Sequence, residues 1–506
     1  MRMGSGIWTV EEARAADRQA VDIGVPYAAL LAAAGFQVAR FLRAEMPFGP
    51  VVVLAGPGSN GGDGWVAAGH LAHDRPVTVI AAAEPRFEGA EGWVAAARAA
   101  GVEVLSGAGA ESALDRAAVV VDALFGTGFR GSISGHGAGA WLERLARRDL
   151  PVLAVDVPSG VNADTGAYEG PAVPWCAVLT MGQAKWGSVG YPAAGLVDQV
   201  MVADIGLPVP SGARSSGAWI TPEAAKAWWP SSGRLDHKYR RGRVLVVGGC
   251  RSMPGAPVVA ALAALQAGAG LVEVVLPASA RNRVALSPAL IVHDGDETAS
   301  GSLRWSRLLQ QRVAAADAVV FGPGLGPEGD EQLIHGLVAS GKPVVLDADG
   351  IRLLARLGLR VPDNWALTPH AAELGALVGQ SAGWVNADRR GALLGAVRKT
   401  GGTILLKGRF TLVAARDMMW VNPTGDASLA TAGSGDVLAG MAGRLLASGL
   451  DPARALALAA YWHGWAGELG GAAQGLLTAT DLLDWIAPAA RAVDAERPPR
   501  SVGWWT

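Results

Sequence analysis

The sequence predicts an α/β protein made of two successive parallel-sheet halves, and three observations carry that prediction. Short runs of Val, Leu and Ile alternate with Ala-rich segments of helical periodicity, and continuous apolar runs of that length suit strands covered by helices on both faces. The alternation starts, stops, and starts again. Between the two series lies PVPSGARSSGA at 208–218, with the small polar, Pro and Gly composition of an exposed connector, which sets the halves at 1–210 and 219–495. With 506 residues, 50% hydrophobic and 17% charged, the chain can bury two cores.

In chain order, apolar residues recur at helical spacing from Thr9 to Met46, and Gly24-Val25-Pro26 breaks them into two helices. Strands are expected at VVVLAG (51–56), PVTVIAA (76–82), AVVVDALFG (118–126) and PVLAVDVPSG (151–160). After the connector come RVLVVGG (243–249), a helix from about Ala256, LVEVVLP (271–277), AVVFGPG (318–324), PVVLDAD (343–349), ALTPH (366–370) and TILLKG (403–408). Helices are expected to dominate from Gly435 to about Arg491. The longest uncharged run, Ser252 to Val272, is broken by Pro254 and Pro257 and rich in alanine, so it suits a buried helix followed by a strand, not a membrane span.

A net charge of −2 and a pI near 6.5 give no general attraction for nucleic acid or acidic membranes, which leaves small molecules as the expected partners. Two cysteines, Cys176 and Cys250, make neither a disulfide framework nor a Cys-rich metal site. The N-terminus turns amphipathic and acidic within a dozen residues, so a cytoplasmic protein is expected. Assembly into a homo-oligomer is expected as well.

Three loops of the first half each follow a strand, where ligands of such sheets gather. The first, Gly56-Pro57-Gly58-Ser59-Asn60-Gly61-Gly62-Asp63-Gly64, contains a G-x-G-x-x-G spacing of the dinucleotide-binding type, with Glu84 after the next strand. Asp63 would place a carboxylate beside a pyrophosphate, which weighs against a plain nucleotide-dependent dehydrogenase. The second loop is Asp122-Ala123-Leu124-Phe125-Gly126-Thr127-Gly128-Phe129-Arg130-Gly131-Ser132, and the third runs from Asp156 through Ser159 to Gly166. Asn60, Asp122, Asp156 and Ser159 are thereby gathered at one sheet edge as hard oxygen ligands for a weakly charged cation.

These loops, over about 200 residues, resemble the NAD(P)H-hydrate epimerases. The resemblance implies a Rossmann-like three-layer domain in which Asn60, Asp122 and Ser159 hold K⁺. The hydrate would contact Ser59, Asn60, Gly61, Gly62 and Asp63, then Gly126, Thr127, Gly128, Phe129, Arg130, Gly131 and Ser132, and Asp156, which would do the acid–base work. Ser59 stands where the family commonly has a first asparagine, and Ala32 where it commonly has a glutamate. Lys185 also stands at a family position, although read by itself it is a solvated surface lysine.

The second half concentrates its chemistry in NPTGDASLATAGSGDVLAG, from Asn422 to Gly440. Gly433 and Gly435 clear side chains from a helix start, where free N–H groups and the dipole favour an anion. Asp436 at that mouth is either a base that takes a proton from an attacking hydroxyl or an N-terminal cap. The stretch resembles the anion hole and catalytic base of the ribokinase-like superfamily, and its longer form the ADP- or ATP-dependent NAD(P)H-hydrate dehydratases. Asp426-Ala427-Ser428 replace the usual Asn-Pro-Gly. Pro254-Gly255-Ala256, Gly322-Pro323-Gly324, Leu346-Asp347-Ala348-Asp349-Gly350, Thr368-Pro369-His370-Ala371-Ala372-Glu373 and Lys407-Gly408-Arg409-Phe410-Thr411 extend the resemblance along the half.

It implies a ribokinase-like α/β domain in which Ala256, Gly324, His370 and Asp436 line the hydrate. Lys407, Gly408, Arg409, Phe410, Thr411 and Gly435 would hold the nucleotide, with Mg²⁺ entering alongside ADP. The two halves together imply epimerisation of NADHX and NADPHX, then ADP-dependent dehydration of the S form to NAD(P)H, giving AMP and phosphate. A small-molecule kinase is the alternative, and it leaves the first half without a task.

Overall fold

The computed structural model describes residues 5–106, 109–133, 137–208, 215–230, 237–416 and 418–505. It separates into two compact units, one of Met1–Ala218 with Ala387–Arg389 and Arg500–Thr506, the other of Trp219–Asn386 with Arg390–Pro499. Residues 209–214 of the expected connector lie outside the described part. The end of the connector departs from the expectation: Gly217–Trp219 is a strand, and it pairs antiparallel with Gly6–Trp8 through Gly6 and Ala218.

The first unit is built on an all-parallel sheet of eight strands, in the order Val502–Trp505, Val197–Ala203, Trp175–Met181, Val152–Val155, Val119–Ala123, Val51–Ala55, Val77–Ala81 and Glu103–Leu105. The four strands expected from the sequence are the centre of this sheet. From Val51–Ala55 the chain proceeds to Val77–Ala81 on one side and later returns to Val119–Ala123 on the other. Loops that follow the two central strands therefore diverge and leave a crevice between them. The expected pair of N-terminal helices is Val10–Asp22, opened by a Thr9–Glu12 capping box, and Tyr27–Glu45, with Gly24 at φ +99° between them. Gly35 of the second allows helix Ser59–Leu71 to approach, because a Cβ there would lie 2.4 Å from Val66 Cβ. The last strand comes from the far end of the chain: Val502 is 1% exposed, and Trp505 packs edge-on against Phe41 at 5.3 Å.

Among the described residues the second unit has a run of nine strands in the order Ile291–Gly295, Leu271–Pro277, Arg243–Val247, Ala318–Phe321, Val344–Leu346, Trp365–Leu367, Thr403–Leu406, Leu412–Ala415 and Met418–Val421. The first seven are parallel, and the last two turn back as antiparallel strands. Ser434–Ala447, Pro452–Gln474 and Ala479–Asp494 form the late helical block that the periodicity predicts. Gly440 brings Ser434–Ala447 onto Gly255–Gln266, since a Cβ there would lie 2.0 Å from the Ala260 carbonyl oxygen. The uncharged run forms that buried helix and then strand Leu271–Pro277, and no helix among the described residues is long and apolar enough to cross a membrane.

Two candidate active sites

In the first unit a cavity of about 640 Å³ opens beyond the C-terminal ends of the central strands. Ser59, Asn60, Asp63, Gly126, Thr127, Gly128, Phe129, Arg130 and Asp156 all line it. Ser59 is the first residue of helix Ser59–Leu71 and is hydrogen-bonded to Tyr27, and Gly58, Ser59 and Asn60 bring that helix start to the cavity wall. Gly61 and Gly62 sit behind the wall. A Cβ on Gly61 would lie 1.9 Å from Gly56 O, and one on Gly62 would lie 2.9 Å from the Phe87 ring, so their first service is to let the turn close. Gly131 and Ser132 are not among the lining residues, and Ser132 Oγ turns to the Glu169 carbonyl.

Of the three residues expected to hold K⁺, Asp122 and Ser159 are in direct contact, and Asn60 packs beside Gly126 of the loop that follows Asp122. Asp122 is fully buried. One carboxylate oxygen accepts the Ser159 N–H at 3.0 Å and the Trp175 Nε1–H at 2.9 Å, and the other accepts the Ser159 hydroxyl. Burial pushes the Asp122 carboxyl up, against the lowering effect of these donors. Asn60 Nδ2 is buried without a partner, and its side chain would lie 3.2 Å from a Cβ on Gly126. A buried amide left unpaired is unfavourable, and its N and O positions are interchangeable in assignment. An oxygen-seeking monovalent cation therefore suits this donor set of carboxylate, hydroxyl and amide.

Asp156 has φ +64°, a left-handed backbone that a non-glycine residue keeps only where its surroundings impose it. Its N–H donates to Leu179 O, and Oδ1 accepts Met181 N–H at 3.1 Å and Lys185 Nζ at 2.5 Å. Lys185 is not the solvated lysine that composition suggests. It is 3% exposed, lines the same cavity, and also donates to Met181 O at 2.9 Å. Two further carboxylates share the cavity, Asp17 and Asp63. Burial holds both above the usual range, Asp63 most strongly, and the charge of Asp156 adds to it.

In the second unit the sequence motifs meet beyond the strand ends. Gly433 (φ +89°) is the N-cap of helix Ser434–Ala447 and Asp436 is its third residue, making no capping bond, so the cap reading of Asp436 does not hold. Gly435 faces Lys407, whose Nζ would lie 3.2 Å from a Cβ at that position. Lys407 Nζ donates to Asp347 Oδ1 at 2.8 Å, and the Thr368 hydroxyl donates to the same oxygen at 2.7 Å. Burial pushes Lys407 down, but Asp347, Glu373 and Asp436 together carry it above its ordinary value. Asp436 is pushed up to about 7, by burial first and then by the negative charge of Asp347, with Lys407 opposing. A carboxyl poised near neutrality beside an ammonium and a helix start can exchange a proton while an anion is held.

The remaining residues divide by role. Gly324 has φ +63°, and a Cβ on it would lie 3.2 Å from Ala256 Cβ, so these two adjoin. His370 caps helix Ala371–Val378 with Nδ1, which accepts from Ala372 and Glu373, while the rest of the ring stays exposed. Gly408 and Arg409 are exposed, and the Thr411 hydroxyl closes the turn on Gly408 O. The Phe410 side chain is 3% exposed and packs against Trp219, which leaves its backbone as the part that can face a nucleotide.

Helix Pro452–Gln474 supports the whole Asn422–Ser434 stretch, a role that no motif announces. Asn422 donates to Ala460 O, Thr424 Oγ1 to Tyr461 O and Ser428 Oγ to Gly467 O, and Glu468 accepts from Gly425 N. His463 Nε2 lies 3.0 Å from Ser434 O. Burial pushes His463 down to about 4, so the imidazole is neutral at physiological pH and Nε2 carries the donated hydrogen. The Asp426-Ala427-Ser428 turn closes through the Asp426 carboxylate, which accepts Ser428 N–H at 3.0 Å. Asp347, Asp349, Glu373 and His463 are site residues without assigned roles in the sequence reading. The first three stand inside motifs already recognisable there.

Residues 27–187 match the family described as YjeF-related protein N-terminus, and residues 244–488 match the NAD(P)H-hydrate dehydratase family. The bifunctional NAD(P)H-hydrate repair enzyme of Moorella thermoacetica is 34% identical over 93% of this chain and 94% of its own length, and that of Pyrobaculum aerophilum 35% over 93% and 95%. A solved structure of an ADP/ATP-dependent NAD(P)H-hydrate dehydratase from Bacillus subtilis, co-crystallised with ATP and Mg²⁺, is 26% identical, with a TM-score of 0.47 over 54% of this chain and 98% of its own. With both family matches in chain order and near full-length identity above 30%, the chain belongs to the bifunctional NAD(P)H-hydrate repair enzymes.

Proposed function

We propose that residues 1–210 interconvert the R and S epimers of NADHX and NADPHX, and that residues 219–495 dehydrate the S epimer with ADP as the phosphoryl donor. The observation that carries the reading is Asp436, lifted to about 7 beside Lys407 and the helix start at Gly433. In the second site Asp436 accepts the proton of the C6 hydroxyl as that oxygen attacks the terminal phosphate of ADP. The amides at the start of helix Ser434–Ala447 and the Lys407 ammonium meet the charge that develops on the phosphoryl oxygens. Loss of phosphate from C6 then restores the ring double bond, and AMP is released.

Asp347 and Asp349, with Asp436, are the carboxylates near which Mg²⁺ would sit, bound through the nucleotide as that ion usually is, and its contribution is neutralisation of phosphate charge. In the first site Asn60, Asp122 and Ser159 would hold K⁺, whose contribution is to offset a buried carboxylate and fix the loops that face the substrate. A homo-oligomer in the cytoplasm completes the proposal, and size-exclusion chromatography with light scattering tests the assembly.

The deciding measurement incubates the whole chain with a mixture of NADHX epimers, ADP, Mg²⁺ and K⁺ while NADH absorbance is followed. Conversion should pass the fraction of S present at the start and approach completion. A plateau at that fraction removes the epimerase, and a phosphorylated product that accumulates restores the kinase alternative.

The pH dependence has a definite sign. Asp436 must be ionised to act as a base, so kcat/KM of the dehydration should rise with pH and level off above about 7. A flat profile from pH 5 to 9, a span on the order of the group's titration range, excludes Asp436 as the base.

A further inference from the structure

Lysine is rarely buried without a purpose or a partner, and Lys185 has one carboxylate partner and a place on a cavity wall. Two of its contacts are short, Asp156 Oδ1 at 2.5 Å and Met181 O at 2.9 Å. The third, Thr180 Oγ1 at 3.4 Å, is long, and that hydroxyl has two acceptors for its own hydrogen, Gln183 O at 3.1 Å and Asp156 Oδ1 at 3.2 Å. One ammonium hydrogen of this cavity-lining lysine is therefore weakly held. The pair is held from behind as well, by the left-handed backbone at Asp156 and the Leu179 carbonyl that accepts its N–H. A purely structural ion pair needs neither the strained backbone nor the cavity.

The surrounding groups are mostly acidic. Asp17, Asp63 and Asp156 face the cavity interior near this one lysine, with burial pushing Asp17 and Asp63 toward their neutral forms and Arg14 and Arg130 exposed at the margin. Once Lys185 gives up its proton, the Asp156 carboxylate is left without its counter-charge, which favours positive charge on a bound molecule.

Resting on the epimerase reading of this unit, we propose that Lys185 is the proton donor of the epimerisation, acting on the C6 hydroxyl, with Asp156 as its partner and a ring cation as the intermediate. The N1 lone pair forms the N1=C6 bond as the C6–O bond breaks, and the departing oxygen takes a proton from Lys185 and leaves as water. Water then adds to C6 from the other face, the N1=C6 electrons return to N1, and the surplus proton goes to the Lys185 amine. Nothing is oxidised or reduced, and the pair ends as it began. The Asp156 carboxylate, left unpaired when Lys185 has given up its proton, stabilises the planar cation between the two steps.

The test uses the full chain. Lys185→Arg keeps the positive charge and the ion pair but cannot release a proton at neutral pH. Its epimerisation rate should fall by at least about 100-fold, the usual loss for a missing proton donor. Lys185→Ala should fall similarly and regain rate in a saturable manner with added ethylammonium, a response that a structural role does not give. In H₂¹⁸O the newly formed epimer should carry the label at C6. An Arg variant within a few-fold of the parent overturns the donor role, as does an Ala variant that folds, by its circular dichroism and thermal midpoint, and ignores the amine. An unlabelled product overturns the loss and return of water. A parent chain with no epimerase activity instead sinks the epimerase reading beneath it, a failure that the parent control separates from the others.

Discussion

Replacing Asp436 with asparagine should abolish nucleotide-dependent NADH formation from the S epimer while the chain stays folded. Removing a general base typically lowers a rate by about 10²–10⁴-fold, and here the nearest carboxylates are already engaged: Asp347 by Lys407 and Thr368, and Asp349 by the Gly326 N–H. Stability should not suffer, and the sign follows from the shift. A carboxyl raised from 3.8 to about 7 binds its proton more tightly when folded, so the parent loses stability as pH rises between those values, and the neutral asparagine does not. The thermal midpoint of Asp436→Asn at pH 8 should therefore equal or exceed that of the parent. A variant whose NADH formation stays within a few-fold of the parent would show that Asp436 is not the base. Epimerisation, followed by chromatographic separation of R and S, should continue unchanged.

Asp122→Asn should have the second largest effect, on the other activity. The carboxylate takes the Ser159 hydroxyl and N–H and the Trp175 ring N–H, and an amide can accept on only one of its two positions. At least one buried donor is left facing an N–H₂, an unfavourable contact of about 1–3 kcal/mol. The first thermal transition should move down, and epimerisation should weaken and lose any response to K⁺. A K⁺ titration identical to that of the parent would remove Asp122 from the ion site. The dehydration of pure S epimer serves as the control.

The sequence showed the sheet centres well, because buried parallel strands are unbroken runs of Val, Leu and Ile. It did not show Trp175–Met181, which follows Val152–Val155 through a long loop without an intervening helix, so the alternation that announced the others fails there. Val197–Ala203 carries exposed Asp198 and Gln199 and lacks an apolar run. The residues of both sites that sit in loop motifs were legible, since glycine spacing and chemistry mark them locally. Lys185 and His463 were not. Whether a lysine is solvated or buried against Asp156 depends on how two distant segments meet, and the link from His463 to Ser434 O spans 29 residues across two helices. Phe410 shows a different limit: the motif marks the loop, but not that the core takes this side chain and leaves the backbone to the site.

The strand Val502–Trp505 lies parallel to Val197–Ala203 at the margin of the first sheet, yet it is encoded after the entire second unit. During synthesis the ribosome releases Met1–Ala218 long before it makes that strand. Until Val502–Trp505 emerges, the nascent first unit presents the open backbone of Val197–Ala203, a row of unpaired N–H and C=O groups that other chains can add to. A chain cut before Val502 by premature termination or by a protease would keep that edge permanently open to such additions. The first unit is thus closed only after the second has been made, by a segment encoded on its far side.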